Sequence, residues 1–323
     1  MRISVIAFIL LASLAVAGCS ARSGVDALES VNTSPEVTSS IATVDAAVAA
    51  GNVNVEQIIQ MTALAEPEHL NAPALEQVAM RVPPAPATRS QSNKIYKQRF
   101  SDAHPVNFGK VTPQHHPVHG VDVSRWQGEI DWQELRRQGA NFAYIKATDG
   151  GDHVDPMFRK NWEAAHQAGI KRGAYHFFYW CRTAAEQADW FIRNVPKVKG
   201  ALPPVLDVEY NHQSNCKRRW STKDVREKMQ VFMDRLERHY GQRPIIYTPP
   251  DFYADHLKGA FPNHPFWLRS VAAHPSKVYP GRDWVFWQYS GTGLSQGANG
   301  HIDLNVFRGD EKAWWRWVNQ AAG

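Results

Sequence analysis

Short apolar runs alternate with longer amphipathic segments from His119 onwards, and this alternation is typical of strands followed by helices. The apolar runs predict eight strands, at residues 120–124, 142–147, 174–179, 205–209, 244–248, 266–268, 285–289 and 302–305. The amphipathic segments predict four helices between the first five strands and one helix after the last strand, at residues 131–138, 156–168, 183–195, 221–240 and 311–321. Only loops are predicted between the last strands.

Repeated strand–helix units predict a parallel sheet with right-handed crossover connections. Eight strands within about 200 residues favour an α/β fold of the TIM-barrel type, in which the last helices are missing or vestigial. A doubly wound open sheet is the alternative. In a barrel, the C-terminal ends of the strands meet at one face, which is where such folds carry their active sites.

Residues 1–18 have the pattern of a lipoprotein signal peptide. Arg2 supplies a positive start, and the apolar run of residues 3–16 is too short to span a membrane comfortably. The run leads into Val16-Ala17-Gly18-Cys19, which resembles the bacterial lipobox, where the Cys becomes the lipidated first residue. Because Ser20 rather than Asp follows, we expect Cys19 to anchor the protein at the outer membrane or periplasmic face of a bacterial envelope. An ordinary signal peptide is the alternative.

Residues 19–115 are rich in Ala, Ser, Val, Thr and Pro, and none of the 12 Trp residues precedes Trp126. A segment poor in large aromatic side chains has little surface to bury, so we predict a flexible low-complexity tether, followed by a folded domain over residues 116–323. The formal net charge is +5, without a basic run, a zinc-ligand spacing or a Gly-rich phosphate loop. We therefore expect a monomer that binds no nucleic acid and needs no cofactor.

The segment Leu206-Asp207-Val208-Glu209 is the most informative one for chemistry. Residues two apart on a strand share a face, so Asp207 and Glu209 point the same way, into the barrel, while Leu206 and Val208 pack outwards. Desolvation and like charge both raise the pKa of such carboxyl groups. One proton held beside one negative charge is what cleavage of a glycosidic bond requires.

Two further acids lie at strand ends that adjoin in a closed barrel. Asp122 shares a strand face with Ser124, and Asp303 shares one with Asn305. We expect all four acids to converge at the C-terminal ends of strands one, four and eight. Aromatic rings on or just beyond the strand ends suit stacking on sugar rings, and those predicted to bind substrate are Tyr175, Tyr247, Trp267, Trp287 and Tyr289.

These motifs together resemble those of the family 25 glycoside hydrolases, the Chalaropsis-type lysozymes, over residues 119–308, about 60% of the chain. They occur in family order: Gly120-Val121-Asp122-Val123-Ser124, Ile130-Asp131-Trp132, Tyr144-Ile145-Lys146-Ala147-Thr148, Gly173-Ala174-Tyr175-His176-Phe177, Leu206-Asp207-Val208-Glu209, Phe286-Trp287-Gln288-Tyr289-Ser290 and Ile302-Asp303-Leu304-Asn305. The resemblance implies a flattened barrel of five strand–helix units and three further strands. It also implies cleavage of the β-1,4 bond between N-acetylmuramic acid and N-acetylglucosamine in peptidoglycan.

The resemblance assigns roles to individual residues. Glu209 would be the general acid, Asp207 would assist a 2-acetamido nucleophile of the substrate itself, and Asp122 and Asp303 would line the site. The chain departs from the family at Asp149, where Glu is usual, and around Arg269, where an aromatic residue is lost. Arg269 is predicted to meet a muramyl lactate or peptide carboxylate instead.

Two alternatives to a muramidase remain open from the sequence. One is a non-catalytic glycan-binding lipoprotein that keeps the fold, and the other is the same hydrolysis on chitin-like polymers. Cys181 and Cys216 fall in neighbouring loops after strands three and four, so we predict a disulfide bond between them. His115, His116 and His119 lie near the tether–domain junction without partner acids, and no metal site is expected there.

Overall fold

Eight strands hydrogen-bond into a closed ring in the computed structural model, which describes residues 94–211 and 214–321. The strands of the described residues are β1 Ser101–Asp102, β2 His119–Val123, β3 Phe142–Asp149, β4 His153–Val154, β5 Lys171–Phe177, β6 Val205–Asp207, β7 Ile245–Thr248, β8 Phe266–Arg269, β9 Phe286–Leu294 and β10 Ile302–Phe307. The ring runs β2-β3-β5-β6-β7-β8-β9-β10 and closes through the pairing of β10 with β2. The predicted barrel is therefore confirmed, and the open sheet is wrong.

The last strand of the ring runs against the others. Strands β2 to β9 of the ring pair in parallel, whereas β10 is antiparallel to both of its neighbours. The face of the barrel where the parallel strands end, which we call the C-terminal rim, therefore receives the beginning of β10. This reversal decides where Asp303 lies.

Helices follow the first five strands of the ring, as the (β/α)5(β)3 pattern requires. Their bounds are α1 Trp132–Arg137, α2 Phe158–Gln167, α3 Ala184–Asn194, α4 Thr222–Tyr240 and α5 Pro250–Phe252, the last continued by a π-helical turn over Tyr253–Leu257; the short α6 Pro275–Val278 follows β8, and α7 Glu311–Ala321 follows β10. Side chains of Asp131, Thr183 and Ser221 accept hydrogen bonds from backbone N–H groups in the first turns of α1, α3 and α4. Gly241 ends α4 in the left-handed conformation.

Aromatic side chains fill the barrel below its C-terminal rim. Tyr144 and Trp267 pack inside with a ring separation of 5.1 Å, and Gly173 leaves the space that the Tyr144 ring occupies. At the opposite end, α7 covers the barrel because Trp314 is fully buried against Phe142. The aromatic-rich tail is thus a helix packed on the barrel. Among the described residues, the lower end of the barrel is therefore covered by α7, opposite the C-terminal rim.

The folded domain begins earlier than the predicted boundary at residue 116. Residues 94–118, which we call the N-terminal strap, lie along the barrel, and β1 within them pairs with the far end of β9. Phe100 and Phe108 are buried, the latter edge-on against Trp287 at 4.9 Å. The tether prediction is therefore wrong for residues 94–115, because the burial of Phe100 and Phe108 and the β1–β9 pairing dock this segment on the barrel.

The predicted signal peptide, Cys19 and the earlier part of the tether lie outside the described residues. Across the described residues, the structure contains no helix with the length and apolar character needed to cross a membrane. Cys181 and Cys216 form the predicted disulfide bond, with their Cα atoms 5.8 Å apart. The bond joins the loop after β5 to the loop after β6.

Candidate active site

Asp207 and Glu209 lie together at the C-terminal rim, inside the mouth of the barrel. The strand β6 ends at Asp207, two residues earlier than predicted, but Val208 still donates its N–H to the Tyr247 carbonyl at 3.0 Å. The alternation of faces therefore continues to Glu209. Asp207 is buried and Glu209 is partly exposed to the mouth, so the second carboxyl group is the one that a substrate reaches first.

The two carboxyl groups are joined by a hydrogen bond, which lowers the pKa of Glu209 and raises that of Asp207. Burial raises the pKa of Glu209 to about 7. Burial and then the charge of Glu209 raise the pKa of Asp207 well above its ordinary value. The pair therefore retains a proton near neutral pH. Asp207 Oδ1 is buried and has no hydrogen-bond partner among the described residues, so one acceptor in the site remains available.

Asp122 and Asp303 form a second carboxyl pair across the β2–β10 ladder, where their Cα atoms are direct partners. Asp303 is the second residue of β10 and does not end a strand as predicted; it reaches the rim because β10 is antiparallel. Burial raises the pKa of Asp122 to about 6, and that of Asp303 rises well above its ordinary value through burial and the neighbouring Asp122 charge. The two pairs interact, since the charge of Asp122 also raises the pKa of Asp207.

A chain of amide hydrogen bonds holds Asp122 in its ionised form. Gln288 Nε2 and Asn305 Nδ2 both donate to Asp122 Oδ2, at 3.0 and 2.7 Å. Tyr247 donates its hydroxyl to Gln288 Oε1 at 2.9 Å, and Trp267 Nε1 donates to Asn305 Oδ1 at 2.8 Å. Donors aimed at a carboxylate favour its charged form, so Asp122 carries the negative charge of its pair.

Two cations offset the four acids. Lys146, on the interior face of β3, forms an ion pair with Asp149 at 2.8 Å and lowers the pKa of Asp207 and Glu209. Arg269, at the end of β8, lowers the pKa of Asp122, Asp303 and Glu209. The predicted contact of Arg269 with a muramyl lactate or peptide carboxylate of the substrate stays a prediction.

The predicted aromatic set divides between the two faces of the barrel wall. Tyr175 lies among the carboxyl groups. Burial raises the pKa of its hydroxyl, and the charges of Asp122, Asp207 and Asp303 raise that pKa further. Tyr247 and Trp267 lie beneath the acids and are 8% and 2% exposed, so they support the site from below.

Trp287 and Tyr289 were predicted to bind substrate, and the structure contradicts this. Both point outwards from β9: Trp287 Nε1 donates to the Ser270 carbonyl at 2.8 Å, and the Tyr289 hydroxyl lies 3.3 Å from His119 Nδ1. Both are buried beneath the N-terminal strap and have no access to the mouth. The residue between them, Gln288, is the one that faces the acids.

Two residues that face the acids, Lys146 and Gln288, were not predicted to act there. Lys146 and Gln288 alternate with outward-facing neighbours on β3 and β9. Strand periodicity is therefore the signal in the sequence that could have identified them. Trp126, in the loop after β2, is 71% exposed, and Arg125 stacks over its ring at 4.6 Å. A 3-10 turn capped by Ser124 holds this ring in place near the rim.

The histidines near the start of the barrel do not converge on a common point. His116 packs edge-on against Trp284, whereas His119 contacts Tyr289. In the described ranges, no group of three or more His, Cys, Asp or Glu side chains is placed to hold a metal ion.

A closed barrel with interacting carboxyl pairs in its C-terminal mouth defines a barrel glycoside hydrolase. The chain belongs to the glycosyl hydrolases family 25, whose family model matches residues 121–298. The expected family is thereby confirmed, and the chain is a glycoside hydrolase.

Relatives and solved structures of the same family support this membership. The Escherichia coli protein YegX is 39% identical over 63% of this chain and 74% of its own length. Lysozyme M1 of Streptomyces globisporus is 36% identical over 59% of this chain and 68% of its own length. The structure of a family 25 glycosyl hydrolase from Bacillus anthracis, 40% identical, covers 68% of this chain and 99% of its own, with a TM-score of 0.61. The likeness thus lies in the barrel.

Proposed function

We propose that this protein is a muramidase that hydrolyses the β-1,4 bond between N-acetylmuramic acid and N-acetylglucosamine in peptidoglycan. The observation that carries the proposal is the Asp207–Glu209 pair, in which one carboxyl group reaches the mouth and the other keeps a buried, unpartnered acceptor oxygen. The Streptomyces relative named as a lysozyme supports the same substrate class.

In the proposed reaction, Glu209 protonates the glycosidic oxygen as the bond breaks. Its pKa of about 7 suits an acid that must hold a proton near neutral pH and release it. The carbonyl oxygen of the substrate's 2-acetamido group attacks the anomeric carbon and closes an oxazolinium-like ring. Glu209, now ionised, then takes a proton from the water that opens the ring, and the acetamido group is restored.

Asp207 would guide this internal nucleophile. The acetamido N–H is a hydrogen-bond donor, and Asp207 Oδ1 is a buried acceptor without a partner among the described residues. A bond between them would orient the acetamido group and stabilise the positive charge that develops on its nitrogen. The Asp122–Asp303 pair and Tyr175 would complete a negative, dry surrounding for the cationic transition state.

The decisive experiment compares wild-type protein with Glu209→Gln on purified peptidoglycan, measuring released reducing ends. We expect at least a thousandfold loss of rate in Glu209→Gln, whereas Glu227→Gln, an exposed acid on α4, should leave the rate unchanged. A wild-type protein that binds glycan and releases nothing would instead support the non-catalytic alternative.

The identity of the new reducing end tests the substrate. Mass spectrometry of the products should find N-acetylmuramic acid at the reducing end. Release of N-acetylglucosamine ends, or faster turnover of chitin-like polymers than of peptidoglycan, would contradict the muramidase assignment while leaving the glycoside hydrolase in place.

We also propose an envelope location in a bacterium, with the protein held to a membrane through acylated Cys19 and acting on nearby glycan strands. The pattern of residues 1–19 supports this proposal. Mass spectrometry of the protein purified from membranes should find acyl chains on Cys19, and Cys19→Ser should release the protein from the membrane fraction. An unmodified Cys19 in membrane-derived protein would refute the anchor.

A further inference from the structure

A cavity lies beside the C-terminal rim, and its wall includes Tyr210, the residue that follows Glu209. Its volume is about 780 Å³, and it lies between the loops that follow β5 and β6 and the π-helical turn after α5. Its walls include aromatic rings on one side and basic side chains on the other: Trp180, Tyr210, Trp220, Arg218, Arg219 and Asp255. We call it the side cavity.

The side cavity is positively charged. Lys217, Arg218 and Arg219 contribute three cations from one loop, and Asp255 is the acid in the wall. Asp255 already accepts the hydroxyl of Tyr210 at 2.6 Å. Within the described ranges neither Arg218 nor Arg219 forms an ion pair, so the cavity has a surplus of positive charge that no protein carboxylate balances.

The walls also contain directed donors. Arg218 stacks over the Trp220 ring at 3.8 Å, which holds its planar guanidinium in one orientation. A planar guanidinium held in one orientation is suited to a carboxylate, which can accept two of its N–H groups. The Cys181–Cys216 bond fixes the loop that carries these groups.

The wall of the side cavity is directly connected to Glu209. Tyr210 in its wall directly follows Glu209, and Trp180 Nε1 donates to the Glu209 carbonyl at 3.0 Å. In peptidoglycan, a short acidic peptide branches from the lactyl group of the very sugar whose bond would be cut. A substrate in the mouth would therefore carry peptide carboxylates on the sugar next to the cleaved bond.

We propose that the side cavity binds the carboxylates of this stem peptide, so that the enzyme recognises peptide-bearing muramyl residues. The inference rests on the proposed muramidase function and specifies its substrate. Arg269 is less suited to this role, because its charge already acts on Asp122, Asp303 and Glu209. Arg218 and Arg219 are exposed and form no ion pair with any acid that the structure describes.

Two substrates test the proposal: glycan strands with intact stem peptides, and the same strands after an amidase has removed the peptides. For Arg218→Gln combined with Arg219→Gln, we expect KM on peptide-bearing strands to rise roughly tenfold or more, with kcat little changed. On peptide-free strands the variant should match wild type. Arg316→Gln, an exposed arginine on α7 at the closed end, is the matched control and should behave as wild type on both.

A binding measurement separates this inference from the proposed function. Calorimetry with a soluble synthetic stem peptide should show binding to wild type and to Arg316→Gln, and a roughly tenfold weaker affinity for the double variant. Equal KM values for wild type and double variant on peptide-bearing strands, or equal peptide affinities, would overturn the inference and leave the muramidase standing. Peptide binding without hydrolysis of either strand would overturn the muramidase and keep the side cavity as a peptide site.

Discussion

Asn305 Nδ2 donates a hydrogen bond of 2.7 Å to Asp122 Oδ2 across two antiparallel strands, and both residues are buried. Asn305 is held in turn by Trp267 Nε1 through its own Oδ1. The amide therefore has one possible orientation, with its donor towards the carboxylate. This bond lowers the pKa of Asp122 against the effect of burial, which raises it to about 6.

Removing the Asn305 amide should shift the acid limb of the pH–activity profile to higher pH. In Asn305→Ala the pKa of Asp122 loses a lowering contribution and rises above about 6, so Asp122 becomes protonated at higher pH. If an ionised Asp122 is needed, kcat/KM should decline at a higher pH on the acid side than in wild type. Glu227→Gln, an exposed acid on α4 whose loss leaves both amide hydrogen bonds to Asp122 in place, is the control and should keep the wild-type acid limb. An unshifted acid limb in Asn305→Ala would exclude Asp122 as the titrating group.

Activity should also decrease on the alkaline side. Glu209 can donate a proton only while protonated, and its pKa is about 7, so kcat/KM should fall about tenfold per pH unit above neutrality. The measurement is kcat/KM on soluble glycan fragments between pH 4 and about 10. Constant activity up to the top of this range would show that another group supplies the proton.

Glu209→Gln should be more stable than wild type at alkaline pH. The folded protein raises the pKa of Glu209 from 4.5 to about 7, so the folded state holds this proton more tightly than the unfolded chain does. Ionisation therefore opposes folding, with no effect below about pH 4 and the full effect above about pH 7. We expect the free energy of unfolding to be on the order of 1–3 kcal/mol higher in Glu209→Gln at pH 8.

Urea denaturation at pH 8 and at pH 4 measures this difference, with the disulfide bond intact. The two proteins should converge at pH 4, where both forms of the side chain are neutral. A Glu209→Gln protein that is less stable than wild type at pH 8 would show that the carboxylate is well accommodated in the fold.

The N-terminal strap should contribute substantially to stability. A chain that starts at residue 116 loses Phe100, Phe108 and the β1–β9 pairing, and it exposes Trp287 to water. Compared with a chain that starts at residue 94, we expect a loss on the order of 3–5 kcal/mol in the free energy of unfolding. Equal melting temperatures for the two chains would mean that the strap contributes nothing to the fold.

Strand periodicity predicted the essential part of the site. Asp207 and Glu209 are separated by one apolar residue on a strand with apolar flanks, and this local pattern determines which way both carboxyl groups point. The helix starts at Asp131, Thr183 and Ser221 were predictable for a similar reason, because capping depends on neighbouring residues only.

The errors concern features that depend on distant parts of the chain. The alternation Phe286-Trp287-Gln288-Tyr289 shows two faces but does not indicate which one lies inside, and the larger rings were wrongly assigned to the mouth. They point outwards because the strap supplies Phe108 to cover them. The direction of β10 was likewise not visible in a short apolar run, since a loop can return a strand either way.

The helix α7 covers the end of the barrel opposite the acids. Attachment of the protein at one end is therefore separated in space from substrate binding at the other. An affinity tag, a fluorescent reporter or a solid support joined behind α7 would lie on the far side from the polymer. A glycan strand could still reach the acids of an immobilised enzyme, so attachment at this end needs no redesign of the barrel.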